Sequence, residues 1–196
     1  MVFEYGEEAI AHLCKKDKKL GAAIERIGII KREVNPHLFA ALVENIVGQQ
    51  ISSKSAATVC SRLAALCGMD SQKLHRLTVE EIQACGMSMR KAGYIKNIAE
   101  SAVSGQIDFD ALPNMSDGDV IKTLSSIKGV GVWTAEMLLI FSLMRLDVIS
   151  YGDLAIRRGM MNLYGLKDLP KEKFQRYAKR YTPFATVASL YFWELS

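Results

Sequence analysis

The residue types best suited to chemistry are concentrated between Leu124 and Arg158. Two segments with apolar residues at helical spacing are joined there by Lys128-Gly129-Val130-Gly131. The glycines permit positive φ angles and a close approach of the two helices. Such a turn leaves backbone N–H groups available at the start of the second helix, where the helix dipole adds positive potential. The segment therefore predicts a backbone site for phosphate groups.

A carboxylate follows in Gly152-Asp153, at the start of another segment with helical spacing. The structural role of Asp153 would be that of an N-cap, which stabilises a helix by roughly 0.5–2 kcal/mol. A capping carboxylate also accepts hydrogen bonds from N–H groups at the positive end of the helix dipole, and both stabilise its charge. The two roles are compatible. An ionised carboxylate can stabilise a developing positive charge or orient water, but it is a poor general acid.

The pattern Leu-x-x-Ile-x-Gly-Val-Gly-x-x-Thr-Ala, from Leu124 to Ala135, resembles the helix-hairpin-helix motif of base excision DNA glycosylases of the HhH-GPD superfamily. The similarity extends from about His12 to Trp193. Four further segments resemble the 3-methyladenine DNA glycosylase II family: Val47-Gly48-Gln49-Gln50-Ile51-Ser52, Arg90-Lys91-Ala92-x-Tyr94-Ile95, Trp133-Thr134-Ala135-Glu136-Met137 and Gly152-Asp153-Leu154-x-Ile156-Arg157-Arg158-Gly159. One departure is that Ser150 or Tyr151 replaces the proline usually found shortly before the aspartate, which bears on loop rigidity.

The resemblance implies an all-α fold with two helical lobes flanking a DNA-binding cleft, and an enzyme of DNA repair with Asp153 as its catalytic carboxylate. Its expected substrate is double-stranded DNA that contains alkylated purines of the 3-methyladenine type. Ordinary glycosidases use a second carboxylate because their leaving group needs a proton. An N3- or N7-alkylated purine is already cationic and leaves without one, so a single carboxylate suffices.

In this family, an aromatic pocket receives the base that is extruded from the duplex. Trp133 and Trp193 resemble the pocket tryptophans, and Tyr151 and Tyr191 are further candidates. A cationic base gains roughly 0.5–2 kcal/mol when it stacks on an indole ring. The alternative for both tryptophans is packing in the protein core.

Trp133 also bears on the type of reaction. Bifunctional glycosylase/lyases of this superfamily carry a lysine at the corresponding position, which forms a Schiff base with the sugar. Tryptophan cannot form one. We therefore expect a hydrolase that leaves an intact abasic site.

Extruding a nucleotide costs a few kcal/mol of stacking, so such enzymes insert a wedge into the duplex. Gln50 occupies the corresponding turn, directly after Gln49, and its side chain could also pair with the orphaned base; the alternative is a surface residue at a helix end. The remaining residues expected to contact DNA belong to the hairpin and the helix that follows it, namely Lys128, Gly129, Val130, Gly131 and Thr134.

No cofactor is expected to be required. The spacing of the histidines and of the four cysteines suggests no metal site, and no cysteine lies beyond Cys85, whereas the iron–sulfur cluster of related enzymes needs four in the C-terminal region. The resemblance allows a monovalent cation on backbone carbonyls between Ile127 and Val130.

Apolar residues recur at intervals of three and four along the whole chain, and no segment alternates with period two, which predicts helices only. One domain is expected over 1–196, with a central lobe at about 36–145 and a second lobe at about 1–35 plus 146–196. Asn35-Pro36 is predicted to open a helix with Phe39, Leu42, Val43, Ile46 and Val47 on one side. The next helix is capped by Ser52 or Ser53 and ends at Gly68, and a short one is capped by Thr78 and ends at Gly86. Further helices are predicted from Ser88 to Gly105 and at about 116–126, 132–145, 153–164, 171–180 and 183–195.

The composition is that of an ordinary globular chain, with 49% hydrophobic and 23% charged residues and a net charge of +4. The charge fits a nucleic-acid partner without establishing one. The apolar run near the middle, Met137–Phe141, is far shorter than the ~18 residues of a membrane span. The first residues lack the pattern of a signal peptide, so we expect a cytoplasmic protein with no membrane partner. A monomer is expected as well.

Two other classes of protein fit part of this pattern. A non-catalytic DNA-binding module could use the same hairpin, but it would not need Asp153 together with two tryptophans. A purely structural helical domain would explain the apolar spacing and leave the hairpin and the Gly-Asp pair to coincidence. A bifunctional glycosylase/lyase is the alternative among enzymes.

Overall fold

The computed structural model describes all 196 residues and consists of α-helices, one short 3-10 helix and connecting loops. In chain order the helices are α1 (Glu7–Lys16), α2 (Lys18–Ile27), α3 (Leu38–Gly48), α4 (Ser53–Cys67), α5 (Ser71–Arg76), α6 (Val79–Gln83), α7 (Met89–Val103), α8 (Asp117–Ser125), α9 (Val132–Phe141), α10 (Leu154–Tyr164), α11 (Lys171–Tyr181) and α12 (Ala185–Glu194), with the 3-10 helix at Leu112–Asn114. Extended segments pair only in one isolated bridge, between Val2 and Glu33. The predicted all-α class is confirmed.

The chain forms two compact units. The central unit comprises Asn35–Leu138, and the terminal unit comprises Met1–Val34 together with Leu139–Ser196. The division therefore falls inside α9. None of the helices is long and apolar enough to cross a membrane.

In the central unit, α7 packs against α3, α5 and α6. Its buried apolar residues Ala92, Ile95, Ile98 and Ala99 recur at intervals of three and four and form one continuous stripe. Burial of each isoleucine side chain contributes about 1.5–3 kcal/mol. The opposite, partly exposed side of α7 is then available for polar contacts with nearby loops.

The predicted helix starts of the central unit are confirmed where a capping side chain marks them. Ser52 caps α4, Ser88 caps α7, and Thr78 caps α6. Thr78 and Glu81 form a complete capping box, because Thr78 Oγ1 accepts from the N–H of Glu81 at 3.2 Å and Glu81 Oε2 accepts from the N–H of Thr78 at 2.7 Å. These local bonds depend on residues at most three positions apart, so the sequence reveals them.

One helix was not predicted, and two helix ends differ from the sequence prediction. The six-residue helix α5 was not predicted; only one of its side chains, Leu74, is buried, so it has no apolar period to detect. The helix expected to end at Gly86 ends at Gln83. The helix expected to reach residue 145 ends at Phe141: Met144 adopts a φ of +51°, and the N–H of Arg145 donates to the Leu139 carbonyl at 2.9 Å.

The terminal unit is built around α12, which is buried from Ala185 to Phe192 and packs against α1, α2, α10 and α11. Gly159 of α10 lies against the backbone of Phe192. A Cβ atom on residue 159 would lie 1.9 Å from the carbonyl oxygen of Phe192. Only glycine permits this approach, which fixes α10 on α12.

A buried carboxylate joins three elements of the terminal unit. Asp17 caps α2 by accepting the N–H groups of Lys19 and Leu20, both at 3.1 Å. It also accepts the hydroxyl of Tyr164 at 2.9 Å, and that hydroxyl lies 2.7 Å from the hydroxyl of Tyr181. Burial is the main cause that raises the pKa of both tyrosines, so they remain neutral phenols at neutral pH.

Candidate functional site

The predicted hairpin connects α8 to α9. The N–H of Val130 donates to the Ile127 carbonyl at 3.0 Å, and Gly129 has a φ of +103°, a backbone conformation that favours glycine. Val130 is buried, whereas Gly131 is exposed at the start of α9. The hairpin thus anchors one hydrophobic residue in the protein and presents the N-terminus of α9 at the surface, where its backbone N–H groups could donate to a phosphate group.

Helix α7 holds this hairpin in place. The ring of Tyr94 packs directly on Gly129 and fills the space that any side chain at that position would need. One α-helical turn further on, the Asn97 amide donates to the Lys128 carbonyl at 3.3 Å. Because Tyr94 and Asn97 are three residues apart, both face the hairpin from the same side of α7.

The turn predicted to carry a wedge follows α3. Gln50 is exposed and has a φ of +60°, a left-handed conformation uncommon for a residue with a side chain. The Gln49 amide Nε2 donates to Oγ1 of Thr134, which is buried in the first turn of α9, at 3.4 Å. The structure therefore brings Gln49 together with a predicted hairpin-side residue, Thr134, and leaves the Gln50 side chain at the surface.

The ammonium group of Lys91 contacts the same turn and was not predicted to have a role. Lys91 Nζ donates to the carbonyl of Val47 at 2.8 Å and also to the carbonyl of Gln49. Burial and the neighbouring Arg90 lower the pKa of Lys91. The sequence gives one hint of this contact. Lys91 lies in the first turn of α7, where the helix dipole disfavours a cation unless another group compensates for it.

Asp153 is the N-cap of α10, as predicted. Its Oδ1 accepts the N–H groups of Ala155 and Ile156, each at 2.9 Å, and the residue is only 8% exposed. The paired donors fix the plane of the carboxylate, and with the positive end of the α10 dipole they stabilise its charge. Ser150, which lies near the position of the missing proline, is fully buried. Packing therefore holds the segment before Asp153 in place without a proline.

The four aromatic residues predicted to form a pocket have different surroundings. Trp133, the second residue of α9, is 37% exposed. Trp193 is half-buried in the terminal unit, with its ring centroid 5.4 Å from that of Phe141. The Tyr151 ring contacts Phe174 edge-on at 5.2 Å and carries the Arg157 guanidinium 5.0 Å from its centroid.

Tyr191 does not fit the predicted pocket. It is fully buried in the core of the terminal unit, and its hydroxyl donates to the Gly28 carbonyl at 3.0 Å. The hydroxyl of Tyr5 lies 3.3 Å away, and burial raises the pKa of Tyr191. With its ring enclosed and its hydroxyl engaged, Tyr191 has no surface for a base, so its expected place in the pocket is corrected to a core position.

No group of three or more His, Cys, Asp or Glu side chains is placed to hold a metal ion. All four cysteines are free thiols, and burial is the main cause that raises the pKa of each: Cys14, Cys60, Cys67 and Cys85. These residues therefore act as small apolar side chains.

Residues 43–183 match the family model described as the HhH-GPD superfamily of base excision DNA repair proteins. This match covers most of the chain and includes the hairpin, Asp153 and the turn of residues 48–50, here called the wedge turn after the role predicted for Gln50.

The chain belongs to the HhH-GPD superfamily.

Individual members of the superfamily are similar over most of the chain. The crystal structure of a Bacillus halodurans DNA-3-methyladenine glycosidase has 36% identity and a TM-score of 0.86, with 99% of this chain and 91% of that chain covered. Schizosaccharomyces pombe 3-methyladenine DNA glycosylase (Mag1) in complex with abasic DNA has 31% identity and a TM-score of 0.83, with 95% of each chain covered. The family resemblance read from the sequence is thereby confirmed.

A sequence comparison agrees with these structures. DNA-3-methyladenine glycosylase 1 of S. pombe is 34% identical over 164 residues, which covers 81% of this chain and 72% of the relative. Two features of this chain could take part in chemistry. The hairpin of the central unit offers backbone N–H groups at the start of α9, and Asp153 of the terminal unit offers a fixed carboxylate.

Proposed function

We propose that this HhH-GPD protein is a monofunctional DNA glycosylase that hydrolyses the N-glycosidic bond of alkylated purines in double-stranded DNA, as a step of base excision repair. The observation that carries the proposal is the buried Asp153 carboxylate, held by two backbone N–H groups at 2.9 Å. Several proteins similar to this chain are named 3-methyladenine DNA glycosylases or glycosidases. An N-cap carboxylate would also serve a module that only binds DNA, and Asp17 caps α2 in the same way. The similarity to these glycosylases is therefore what favours a catalytic role for Asp153.

The proposed reaction begins with cleavage of the bond between C1′ of the sugar and the purine nitrogen. The electron pair of this bond moves to the base and neutralises its positive charge, so the base leaves without being protonated. The sugar becomes an oxocarbenium-like cation, which the Asp153 carboxylate stabilises. Water, oriented by the carboxylate, then adds to C1′ and releases a proton to the solvent. The products are the free base and an intact abasic site.

The aromatic residues supply selectivity in this proposal. Trp133 and Trp193 are the proposed stacking surfaces for the extruded base, and Tyr151 stays a further candidate. A cationic purine gains about 0.5–2 kcal/mol on an indole face, which a neutral purine largely lacks. The enzyme would therefore favour alkylated bases without specific hydrogen bonds to each lesion.

The central unit supplies the proposed DNA contacts. The exposed N-terminus of α9, with Gly131 in the lead, would bind a phosphate through backbone N–H groups, and Lys128 would add positive charge beside it. Gln50 is the proposed wedge, since it is exposed on a turn with a fixed, left-handed backbone. Gln49 supports that turn through Thr134.

The absence of lyase activity follows from Trp133. Its indole nitrogen carries no basic lone pair, so it cannot attack C1′ to form an imine. Hydrolysis is then the remaining route.

A monovalent cation on the hairpin carbonyls is compatible with the residues present. The Ile127 carbonyl accepts the Val130 N–H and the Lys128 carbonyl accepts the Asn97 amide, which leaves each oxygen a second lone pair for a cation. Such an ion would add positive charge near the proposed phosphate site.

We also propose that the protein acts as a monomer.

The test uses duplex DNA treated with a methylating agent and this 196-residue chain. The proposal expects release of methylated purines and the appearance of abasic sites that alkali converts to strand breaks. Without alkali, the strands should stay intact. Binding of the duplex with no base release would favour the non-catalytic module instead, and breaks without alkali would favour a glycosylase/lyase.

A further inference from the structure

Lys91 places its charge at the C-terminal end of a helix other than its own. Its ammonium donates to the carbonyls of Val47 and Gln49, at the last turn of α3 and the residue that follows it. Helix α3 has no basic residue in its own last turn, so no local side chain could supply this cation. The Lys91 ammonium therefore satisfies carbonyls that would otherwise lack partners within α3.

This position is costly for α7 itself. Lys91 is the third residue of α7, where the positive end of that helix repels a cation, and its partial burial removes water from the ammonium. The pKa of Lys91 is lowered accordingly, by burial and by Arg90. The carbonyls at the negative end of α3 act in the opposite direction and stabilise the ammonium.

The turn is held at two points. Lys91 binds the backbone carbonyl of Gln49, and Thr134 accepts the side-chain amide of the same residue. Gln50 follows directly, with its φ at +60°. Such a backbone persists only where its surroundings impose it, because other conformations are lower in energy for a residue with a side chain.

We propose that Lys91 is a positioning residue that holds the turn of residues 48–50 in the conformation from which Gln50 enters the duplex. The proposal rests on the proposed function, since it assigns Lys91 a part in base extrusion. The proposed role of Lys91 needs no contact with the base or the sugar. It acts through the backbone of Gln49, and α7 thereby connects the wedge turn, through Lys91, to the hairpin, through Tyr94 and Asn97.

The same helix offers a matched control. Lys96 donates in the same manner to the carbonyl of Leu77 at 2.9 Å and to the carbonyl of His75, next to the end of α5. That loop carries none of the residues proposed to bind DNA. Lys91→Met and Lys96→Met therefore remove equivalent interactions from one helix, and only the first affects the wedge turn.

The experiment measures base release in a single turnover, together with the fluorescence of 2-aminopurine opposite the lesion, which reports unstacking when the enzyme binds. We expect Lys91→Met to slow release about tenfold or more, since two hydrogen bonds from a charged donor are lost. The fluorescence increase on binding should fall with it. Lys96→Met should change release by less than about twofold even if it lowers stability equally.

A double-mutant cycle identifies the pathway. If Lys91 acts through Gln50, then Lys91→Met should cost little in a Gln50→Ala background, because the wedge is already absent. Lys91→Arg retains charge and N–H donors and should recover part of the rate, which also covers the case in which Lys91→Met does not fold. Equal effects of Lys91→Met and Lys96→Met, or additive effects of Lys91→Met and Gln50→Ala, would overturn the proposal.

The two proposals fail in different ways. If the wild-type chain releases no base, the proposed function fails. The fluorescence signal with an abasic duplex still tests Lys91, because it needs binding and unstacking but no chemistry.

Discussion

The ring of Tyr94 lies so close to Gly129 that a Cβ atom on residue 129 would be 2.2 Å from Tyr94 Cγ. Gly129 also has a φ of +103°. The hairpin therefore depends on two properties of glycine, its lack of a side chain and its conformational freedom. The ring of Tyr94 occupies the space that a side chain at residue 129 would need.

Replacing Gly129 with alanine should lower both stability and DNA affinity. The positive φ alone costs about 1–3 kcal/mol, and the collision with Tyr94 adds to it. Denaturant unfolding measures the first effect and fluorescence anisotropy with duplex DNA the second. Gly131→Ala is the control, because nothing lies within 4 Å of a Cβ there. A Gly129→Ala protein as stable as Gly131→Ala would contradict the packing described.

A larger side chain at Gly131 separates binding from folding. Gly131→Val should leave the free energy of unfolding nearly unchanged, because the position is open in the structure. It should weaken binding to all duplexes alike, since a valine would keep phosphate away from the N-terminus of α9. The remaining affinity should still fall with salt. A loss confined to certain DNA sequences would indicate that the hairpin reads bases.

Much of this site could be predicted locally. The caps Ser52, Thr78 and Ser88 and the cap Asp153 depend on bonds to residues two or three positions away, and such signals are visible in the sequence. The hairpin is also local. Its family pattern spans twelve residues from Leu124 to Ala135.

The contacts that the sequence did not reveal join distant residues. Lys91 binds carbonyls 42 and 44 positions earlier in the chain, and such pairs have no periodic signal. Tyr191 was misjudged for a related reason. A tyrosine close in sequence to Trp193, which is predicted to line the pocket, can still face the core, and only packing decides which side of α12 it occupies.

The terminal unit should lose stability at alkaline pH. Tyr164, Tyr181 and Tyr191 have pKa values raised above the ordinary 10.0, mainly by burial. Above about pH 10 the unfolded chain releases protons that the folded chain retains, so the free energy of unfolding falls as pH rises, by up to ~1.4 kcal/mol per pH unit for each tyrosine. Below that pH the contribution is complete.

Denaturant unfolding at about pH 9 and about pH 10.5 checks this sign. Absorbance of tyrosinate provides a second measurement, because at least three of the seven tyrosines should ionise only when the chain unfolds. Tyr164→Phe should reduce the alkaline loss. Full ionisation of all seven tyrosines in the folded protein would be inconsistent with the buried positions.

Borohydride should trap no covalent complex with DNA. The proposal places Trp133 at the position where a lyase has its lysine, and Lys128 is exposed on the hairpin, so no lysine is proposed as a nucleophile at the sugar. Gel electrophoresis after borohydride treatment detects such an adduct. A stoichiometric adduct that maps to Lys128 or to any other lysine would replace the monofunctional account with a bifunctional one.

The most direct test of the central claim compares Asp153→Asn with the wild-type chain in release of methylated purines from duplex DNA. Asparagine retains an oxygen that can accept the N–H groups of Ala155 and Ile156, so the cap survives and stability should change by less than about 1 kcal/mol. The negative charge is lost, and with it the stabilisation of the oxocarbenium-like sugar. The account predicts that base release falls by orders of magnitude while duplex binding is retained. Release at the wild-type rate by a folded Asp153→Asn protein would contradict it.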